Sequence, residues 1–270
     1  MTTVCFIGGG NMAVALIGGM LKRGYSSGKI HVVEINPDAC AKLHNEFSVQ
    51  TTSDMATGVA GCEAVLLAVK PQQLRAVAQQ LAPLLQGQLI ISIAAGIRAG
   101  DLARWLGTRN VVRAMPNTPA LIRCGMTGLY ALPEVEHVQR ERAQSILKSV
   151  GEVMWLEEEG MMDAVTAVSG SGPAYVFYFI EALQAAGESL GFSADEAQRL
   201  ALNTFVGAAK LAHGSEEPPA VLRARVTSKN GTTERALLSL EAQQVSRHIV
   251  NAAHAAALRA KEMGDELGRD

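Results

Sequence analysis

No stretch of this chain is apolar for long enough to cross a membrane, since runs such as "LIISIAAGI" fall short of the roughly 18–20 residues a bilayer demands. The opening "MTTVCFIGGG" carries no basic segment ahead of an apolar one, and the expected location is the cytoplasm. Cysteine is scarce: Cys5, Cys40, Cys62 and Cys124 form no CxxC pair, which predicts reduced, buried thiols. A large excess of charge of one sign is missing too. A net charge of −2, a pI near 6.3 and no basic stripe leave nothing to draw the chain to nucleic acid or an anionic membrane, so a small molecule is the expected partner. No HExxH metal spacing, GxSxG elbow or Walker lysine occurs, and no internal repeat or low-complexity segment is evident.

Against these absences stands a regular rhythm. With 270 residues and 48% apolar content, the chain has material for one large domain or two ordinary ones. Up to residue 115, short β-branched runs alternate with helical patterns: "TVCFI" and a helix to Arg23, "KIHVVEI" and "NPDACAKLHNEF", "EAVLLAV" and "KPQQLRAVAQQLAPLL", "QLIISIA" and "RAGDLARWL", then "NVVRAM". Gly24 is placed as the stop of the first helix. Repetition of this kind predicts a parallel sheet covered on both faces. "GMTGLYAL", "EHVQRERAQSILKSV" and "GEVMWL" read as strand, helix and closing strand before the acidic run Glu157 to Glu159, and we place a boundary there, between 1–158 and 159–270. Beyond Asp163 the signals are helical only, roughly over 173–190, 194–213, 218–227, 232–242 and 244–266.

Helix 173–190 is apolar nearly all round and then carries Ala182, Ala185, Ala186 and Gly187, which predicts a central position and a close helix neighbour. The last helix shows Val245, Ile249, Ala252, Ala253 and Ala256 on one broad stripe. So much apolar surface on a small bundle points to burial against a second copy.

Three consecutive glycines, Gly8 to Gly10, separate the first strand from the first helix, although glycine costs roughly 0.5–1 kcal/mol inside either element. Gly8-x-Gly10-x-x-Ala13 in a strand-turn-helix context is the dinucleotide fingerprint, in which bare backbone amides at a helix start hold a diphosphate. A tight turn without a ligand is the plain alternative. Glu34, 21 residues after Ala13, stands where an acidic side chain commonly binds the adenosine ribose, which hints at NAD, while Asn36 beside it could donate to a 2′-phosphate. The choice between NADP(H) and NAD(H) stays open.

Further strand ends carry small residues and proline: "AVKP" at 68–71, "AAG" at 94–96 and "MPNTP" at 115–119. In an open α/β sheet such ends face the ligand crevice. In the helical part, "SGSGPAY" (169–175) reads as a helix start without bulk, and "SKNGTTE" (228–234) as a turn at Asn230-Gly231 with Thr232 or Thr233 capping the next helix. Free amides there would suit a carboxylate. None of the six histidines falls in these motifs, so the hydride acceptor should need little acid help; an imine fits better than a ketone, with Tyr175, Thr233 or a water as the donor.

The ordered set "FIGGGNM", "AVKP", "SIAAG", "RAMPNTP", "SGSGPAY" and "NGTTERAL" resembles the pyrroline-5-carboxylate reductase family over essentially the whole chain. The resemblance implies an α/β fold: an N-terminal Rossmann-like doubly wound sheet followed by an all-helical dimerisation domain that interlocks with its partner. It implies NAD(P)H-dependent reduction of 1-pyrroline-5-carboxylate to L-proline, the last step of proline biosynthesis, by homodimers that in this family often assemble into decamers. It puts the dinucleotide on Gly8, Gly10, Asn11 and Met12, with Asn36 near the adenosine end and Ala68, Val69, Lys70 and Pro71 along the cofactor. The substrate carboxylate goes to the amides of Gly231, Thr232 and Thr233, with Ser228 and Asn230 shaping the turn, and Thr233 lies close to the imine nitrogen as a donor. Glu216 matches an acidic position in some members. One departure is visible: the familiar string is Ser-Pro-Gly-Gly-Thr-Thr, and here Lys229 and Asn230 replace the proline and the first glycine. Asparagine tolerates the left-handed backbone such a turn needs.

Two other readings compete. A β-hydroxyacid dehydrogenase shares the plan but uses a lysine base early in the substrate domain, and here no lysine follows Pro173 before Lys210. A non-catalytic NAD(P) sensor would bind the cofactor without turnover.

Overall fold

Strands β1 (Val4–Ile7) and β4 (Ala64–Leu67) are apolar from end to end and fully buried, as strands must be when helices cover both faces of their sheet. They lie side by side in the centre of an eight-stranded sheet seen in a computed structural model that describes residues 2–269. With β2 (Ile30–Val33), β3 (Gln50–Thr52), β5 (Leu89–Ser92), β6 (Val111–Met115), β7 (Gly125–Ala131) and β8 (Gly151–Trp155), the order is β3-β2-β1-β4-β5-β6-β7-β8. The chain winds outward in one direction from β1 and in the other from β4, so the carboxyl ends of these two strands mark the topological switch point.

The connecting helices are α1 (Asn11–Lys22), α2 (Pro37–Phe47), α3 (Met55–Val59), α4 (Pro71–Leu81), α5 (Ala99–Leu106), α6 (His137–Leu147) and α7 (Met161–Val165). Arg23 ends α1 and Gly24 follows at φ +88°, the stop read from the sequence. Proline opens α2 and α4, where its missing N–H costs no hydrogen bond. Strands β1 to β6 pair in parallel, as their alternation with helices predicts; beyond that repeat β7 runs antiparallel to β6, and β8 then pairs parallel with β7. Only a short 3₁₀ turn, Thr118–Ile122, joins β6 to β7, and a segment that short cannot make the crossover a parallel pair needs. Strand β3 and helix α3 had no periodic signal because each is too brief to show one. Asp54 starts α3 by accepting the Thr57 amide at 2.8 Å.

The expectation for cysteine is corrected. Cys5 and Cys62 are buried and Cys40 half-buried, but Cys124 is exposed just after a left-handed Arg123. The neighbouring Cys62 thiol and burial push the Cys5 thiol well above its ordinary pKa.

The chain divides into two compact units, one of 1–171 with 256–270 and the other of 172–255. This division lies later than the boundary expected at 158. In the first unit Glu159, just before α7, accepts from the buried Arg113 guanidinium at 3.0 Å and from the Ala99 amide at 2.7 Å. The chain end returns to the same unit through the Arg98–Asp265 ion pair and an Arg104 bond to the Gly268 carbonyl at 2.9 Å.

The second unit contains α8 (Gly172–Ser189), α9 (Ala194–His213), α10 (Pro219–Arg225), α11 (Thr232–Ala242) and the first half of α12 (Val245–Leu267). A Cβ on Gly187 would stand 3.0 Å from that of Ala197, the close approach of α8 to α9 that its small residues predict. Helix α8 was expected to be central, yet it has no buried residue: Phe177 and Tyr178 are 60% and 70% exposed in the single chain. Among the described residues no helix is long and apolar enough to cross a membrane.

Two adjacent glycines of α1 should respond oppositely to alanine. A Cβ on Gly19 would come within 2.6 Å of the Ser149 carbonyl oxygen, whereas on Gly18 it would make an ordinary 3.4 Å contact with Phe47. Gly19→Ala should cost about 1–3 kcal/mol through overpacking, and Gly18→Ala should be neutral or stabilise by up to about 1 kcal/mol through helix propensity. Urea midpoints of the two variants check this.

Candidate active site

The glycine loop leaves β1 at the switch point. Gly8 has φ +100°, a left-handed backbone, and a Cβ there would press on the Ala68 carbonyl at 2.9 Å, so the sharp turn and the neighbouring strand end both require glycine. Its amide donates to Val33 at 2.9 Å, and the Ala68 amide donates to Ile7 at 2.8 Å, which ties β1, β2 and β4 together where they end. Gly10 is the N-cap of α1, exposed and without a side-chain acceptor, and a Cβ on it would meet no heavy atom within 4 Å. The first-turn amides of α1, at Asn11 and Met12, therefore open onto free space beside a bare backbone. That cradle fits a diphosphate, because a helix start presents partial positive charge and unsatisfied N–H groups. Lys70, exposed, and Pro71 start α4 in the same way, with no side-chain cap.

Glu34 and Asn36 are drawn into the loop. One Glu34 carboxylate oxygen accepts the Gly9 amide at 2.8 Å and the other the Asn36 amide at 2.9 Å. Glu34, expected at the ribose, thus has each carboxylate oxygen engaged by protein backbone. Asn36 caps α2 with Oδ1, accepting from Asp38 at 2.9 Å and Ala39 at 3.2 Å, which leaves Nδ2 as its donor.

At the end of β6, Asn117 links two motifs that lie far apart in sequence. Its Oδ1 accepts the Met126 amide at 2.9 Å, and its Nδ2 donates to the carbonyl and hydroxyl oxygens of Ser169 at 3.1 and 3.2 Å. "MPNTP" and the start of "SGSGPAY" are therefore joined within the first unit. Ser169 lies in a π-helical turn, Thr166–Gly170, a rare form that is frequent at functional sites. Asn117 and Ser169 were not named individually from the sequence; the signal was an asparagine held between two prolines.

In the second unit, the turn at 228–231 leads into α11. Asn230 has φ +61°, the left-handed conformation it was expected to tolerate. The N-cap is Gly231, not Thr232 or Thr233, and no side chain caps it. The Gly231 amide donates to the Ser228 carbonyl at 3.0 Å, closing the turn, so of the three amides assigned to a carboxylate those of Thr232 and Thr233 are left. Thr233 is half-buried. Glu234, which sequence reasoning missed, accepts the Asn230 amide at 2.7 Å and braces the turn; a glutamate three residues after the N-cap was the available sign. Glu216 is exposed, while its neighbour Glu217 pairs with Arg225 at 2.5 Å. The Tyr175 hydroxyl is buried without a hydrogen-bond partner among the described residues, beside a cleft of about 230 Å³ lined by Tyr178, Phe179, His248 and Ile249.

Comparison with known proteins places this geometry. A family model described as "Pyrroline-5-carboxylate reductase dimerisation" matches residues 159–263, and one described as "NADP oxidoreductase coenzyme F420-dependent" matches residues 3–96. A pyrroline-5-carboxylate reductase of Pseudomonas aeruginosa is 48% identical over 268 residues, covering 98% of each chain. The chain belongs to the pyrroline-5-carboxylate reductase family. A second relative, from Pasteurella multocida, is 41% identical and covers 97% of each chain. Among solved structures, the Coxiella burnetii reductase superposes with a TM-score of 0.93 at 40% identity, covering 97% of this chain and 98% of that one. The Plasmodium falciparum pyrroline carboxylate reductase with NADP bound superposes with a TM-score of 0.86 at 29% identity over the same shares. An Aquifex aeolicus prephenate dehydrogenase, with a TM-score of 0.55 at 15% identity, shares the fold alone.

A methyl group at Gly10 would fill the cradle without straining the chain. Gly10→Ala should leave the urea midpoint unchanged and weaken binding of ADP by about tenfold, equivalent to about 1.4 kcal/mol. Calorimetry paired with denaturation checks it.

Proposed function

We infer that this chain reduces 1-pyrroline-5-carboxylate to L-proline with NADPH or NADH, the last step of proline biosynthesis. The observation that carries this reading is the pair of glycine-capped helix starts, Gly10 of α1 and Gly231 of α11, each without a side-chain acceptor, in a chain 48% identical to a reductase of this name. Amides at a helix start favour anions. The substrate has a carboxylate and the cofactor a diphosphate.

In this reading Gly8, Gly10, Asn11 and Met12 hold the diphosphate, Asn36 lies toward the adenosine end, and Ala68, Val69, Lys70 and Pro71 line the path of the cofactor. The reduced nicotinamide, when bound, supplies a hydride. The amides of Thr232 and Thr233 hold the substrate carboxylate, and the Ser228 carbonyl, Asn230 and Gly231 keep that turn in shape. Thr233 places its hydroxyl at the imine nitrogen, which gains a proton as C5 gains the hydride, so the C=N double bond becomes a C–N single bond with one new C–H and one new N–H bond. Orientation supplies most of the rate. The division of labour follows the sequence boundary, with 1–158 binding the dinucleotide and 159–270 serving dimerisation and substrate binding. The chain works in the cytoplasm as a homodimer, the building unit of a decamer. Exposed apolar side chains on α8 and α9, such as Phe177 and Leu211, support burial against a second copy.

Adding purified protein to 1-pyrroline-5-carboxylate and NADPH should consume absorbance at 340 nm (the nicotinamide band) and yield proline; a folded chain that binds the dinucleotide but shows no turnover would favour the sensor reading instead. Thr233→Ala should lower kcat by about tenfold or more while leaving the cofactor dissociation constant within about twofold, as steady-state kinetics and calorimetry together measure. Light scattering should give a particle at least twice the 28.5 kDa chain mass.

A further inference from the structure

We propose that Met263 and Leu267, on the last turns of α12, are positioning residues: they hold the turn Ala95-Gly96 after β5 in the shape that receives the nicotinamide half of the dinucleotide. This rests on the cofactor reading above. In that reading Asn36, after β2, lies toward the adenosine, and the glycine loop after β1 holds the diphosphate. The other half of the dinucleotide then runs the opposite way, past Ala68 to Pro71 after β4 and toward the end of β5. Strand β5 lies next to β4, and the Ile93 amide donates to the Leu67 carbonyl at 3.2 Å where the two strands end. The residues that follow border the carboxyl edge, where ligands of such sheets bind.

A bare glycine at such an edge ordinarily leaves room for a ligand. At Gly96 the room is taken by the protein itself. Gly96 is buried with φ +69°, and a Cβ on it would lie 3.1 Å from Met263 Cβ and 3.3 Å from Leu267 Cδ1. From residue 256 onward α12 belongs to the same compact unit as the sheet. Two small buried residues, Ala260 and Gly264, let this end of the helix come close, and a Cβ on Gly264 would stand 3.3 Å from the Arg98 guanidinium. Polar bonds fasten the rim: Arg98 pairs with Asp265, Arg104 donates to the Gly268 carbonyl at 2.9 Å, and Arg75 to that of Arg269 at 3.3 Å. The Arg98 and Asp265 side chains are 41% and 47% exposed, so their pairing contributes little and the apolar cover carries the contact. The far end of the loop is anchored separately, by the Ala99 amide on Glu159 at 2.7 Å. Between these anchors glycine has the most freedom to lose, and Met263 and Leu267 are what removes it.

Variants of the full-length protein test the assignment, with dissociation constants for NADPH, NADH and ADP measured by calorimetry without imine substrate. ADP carries the adenosine and the diphosphate but no nicotinamide, so it reports the part of the site that Met263 and Leu267 do not serve. The double variant Met263→Ala, Leu267→Ala should weaken both dinucleotides by about fivefold or more and leave ADP within about twofold. The KM for the dinucleotide should rise while kcat stays within about twofold, and amide hydrogen exchange over residues 93–98 should quicken. Met263→Leu, which conserves volume, should bind all three ligands as the wild type does. Equal weakening of ADP and the dinucleotides would show a merely structural role and overturn the proposal, as would unchanged dinucleotide binding in the double variant. Should the double variant not fold, Met263→Ala alone is judged by the same contrast between the dinucleotides and ADP. Wild-type protein that binds neither the dinucleotides nor ADP would sink the cofactor reading together with this one, whereas the other adverse outcomes overturn this proposal alone.

Discussion

Backbone amides left without acceptors at the start of a helix are the constraint on which the rest of this molecule depends. Four helices satisfy theirs locally, with Asn36, Asp54, Glu136 and Ser193 accepting from first-turn amides. A fifth, α5, is served at a distance by Glu159. Helices α1, α4 and α11 begin with Gly10, Lys70 and Gly231 and have no such side chain, as do the short α7 and α10. Uncapped N–H groups carry a cost of roughly 0.5–2 kcal/mol relative to a good cap. In α1 and α11 that cost coincides with bare glycine and with the motifs that carry the family resemblance, as binding of an anion would require.

The same economy shapes the surroundings. A negative side chain close to a diphosphate site would be a liability, and Glu34 is tolerable there because two amides hold it. Glu234 stands in a similar relation to the second helix start, beside the Thr232 and Thr233 amides but engaged by the Asn230 amide. Each carboxylate stiffens a turn: Glu34 braces Gly8 to Gly10, which have no side chains of their own, and Glu234 braces the turn at Asn230-Gly231. A glycine-rich turn loses more conformational freedom on folding than any other, so an external brace is what lets it hold one shape.

Rigidity of another kind comes from Asn117. All its amide hydrogen bonds run to backbone or to Ser169, and the two prolines flanking it leave the backbone little choice. The bond fastens the turn after β6 to the π-helical segment with which the first unit ends before α8 begins. A sequence reading places both motifs on helix or strand ends, but nothing in either one announces its partner.

What the sequence determined by itself was local: the alternation of strand and helix, the limits of α9 and α11, the glycine-rich turn after β1, the left-handed Asn230. These follow from preferences of residues a few positions apart, and periodicity, proline and glycine report them directly. The tertiary structure decided what depends on distant neighbours. It placed β7 antiparallel, left Cys124 at the surface, used the Gly231 amide to close its own turn, and turned Glu34 toward a Gly9 amide 25 residues away. A carboxylate at a strand end has several partners open to it as long as only the chain's order is known. Which lone pair meets which N–H is settled when packing brings β1 and β2 side by side and sets the Glu34 carboxylate against the Gly9 amide.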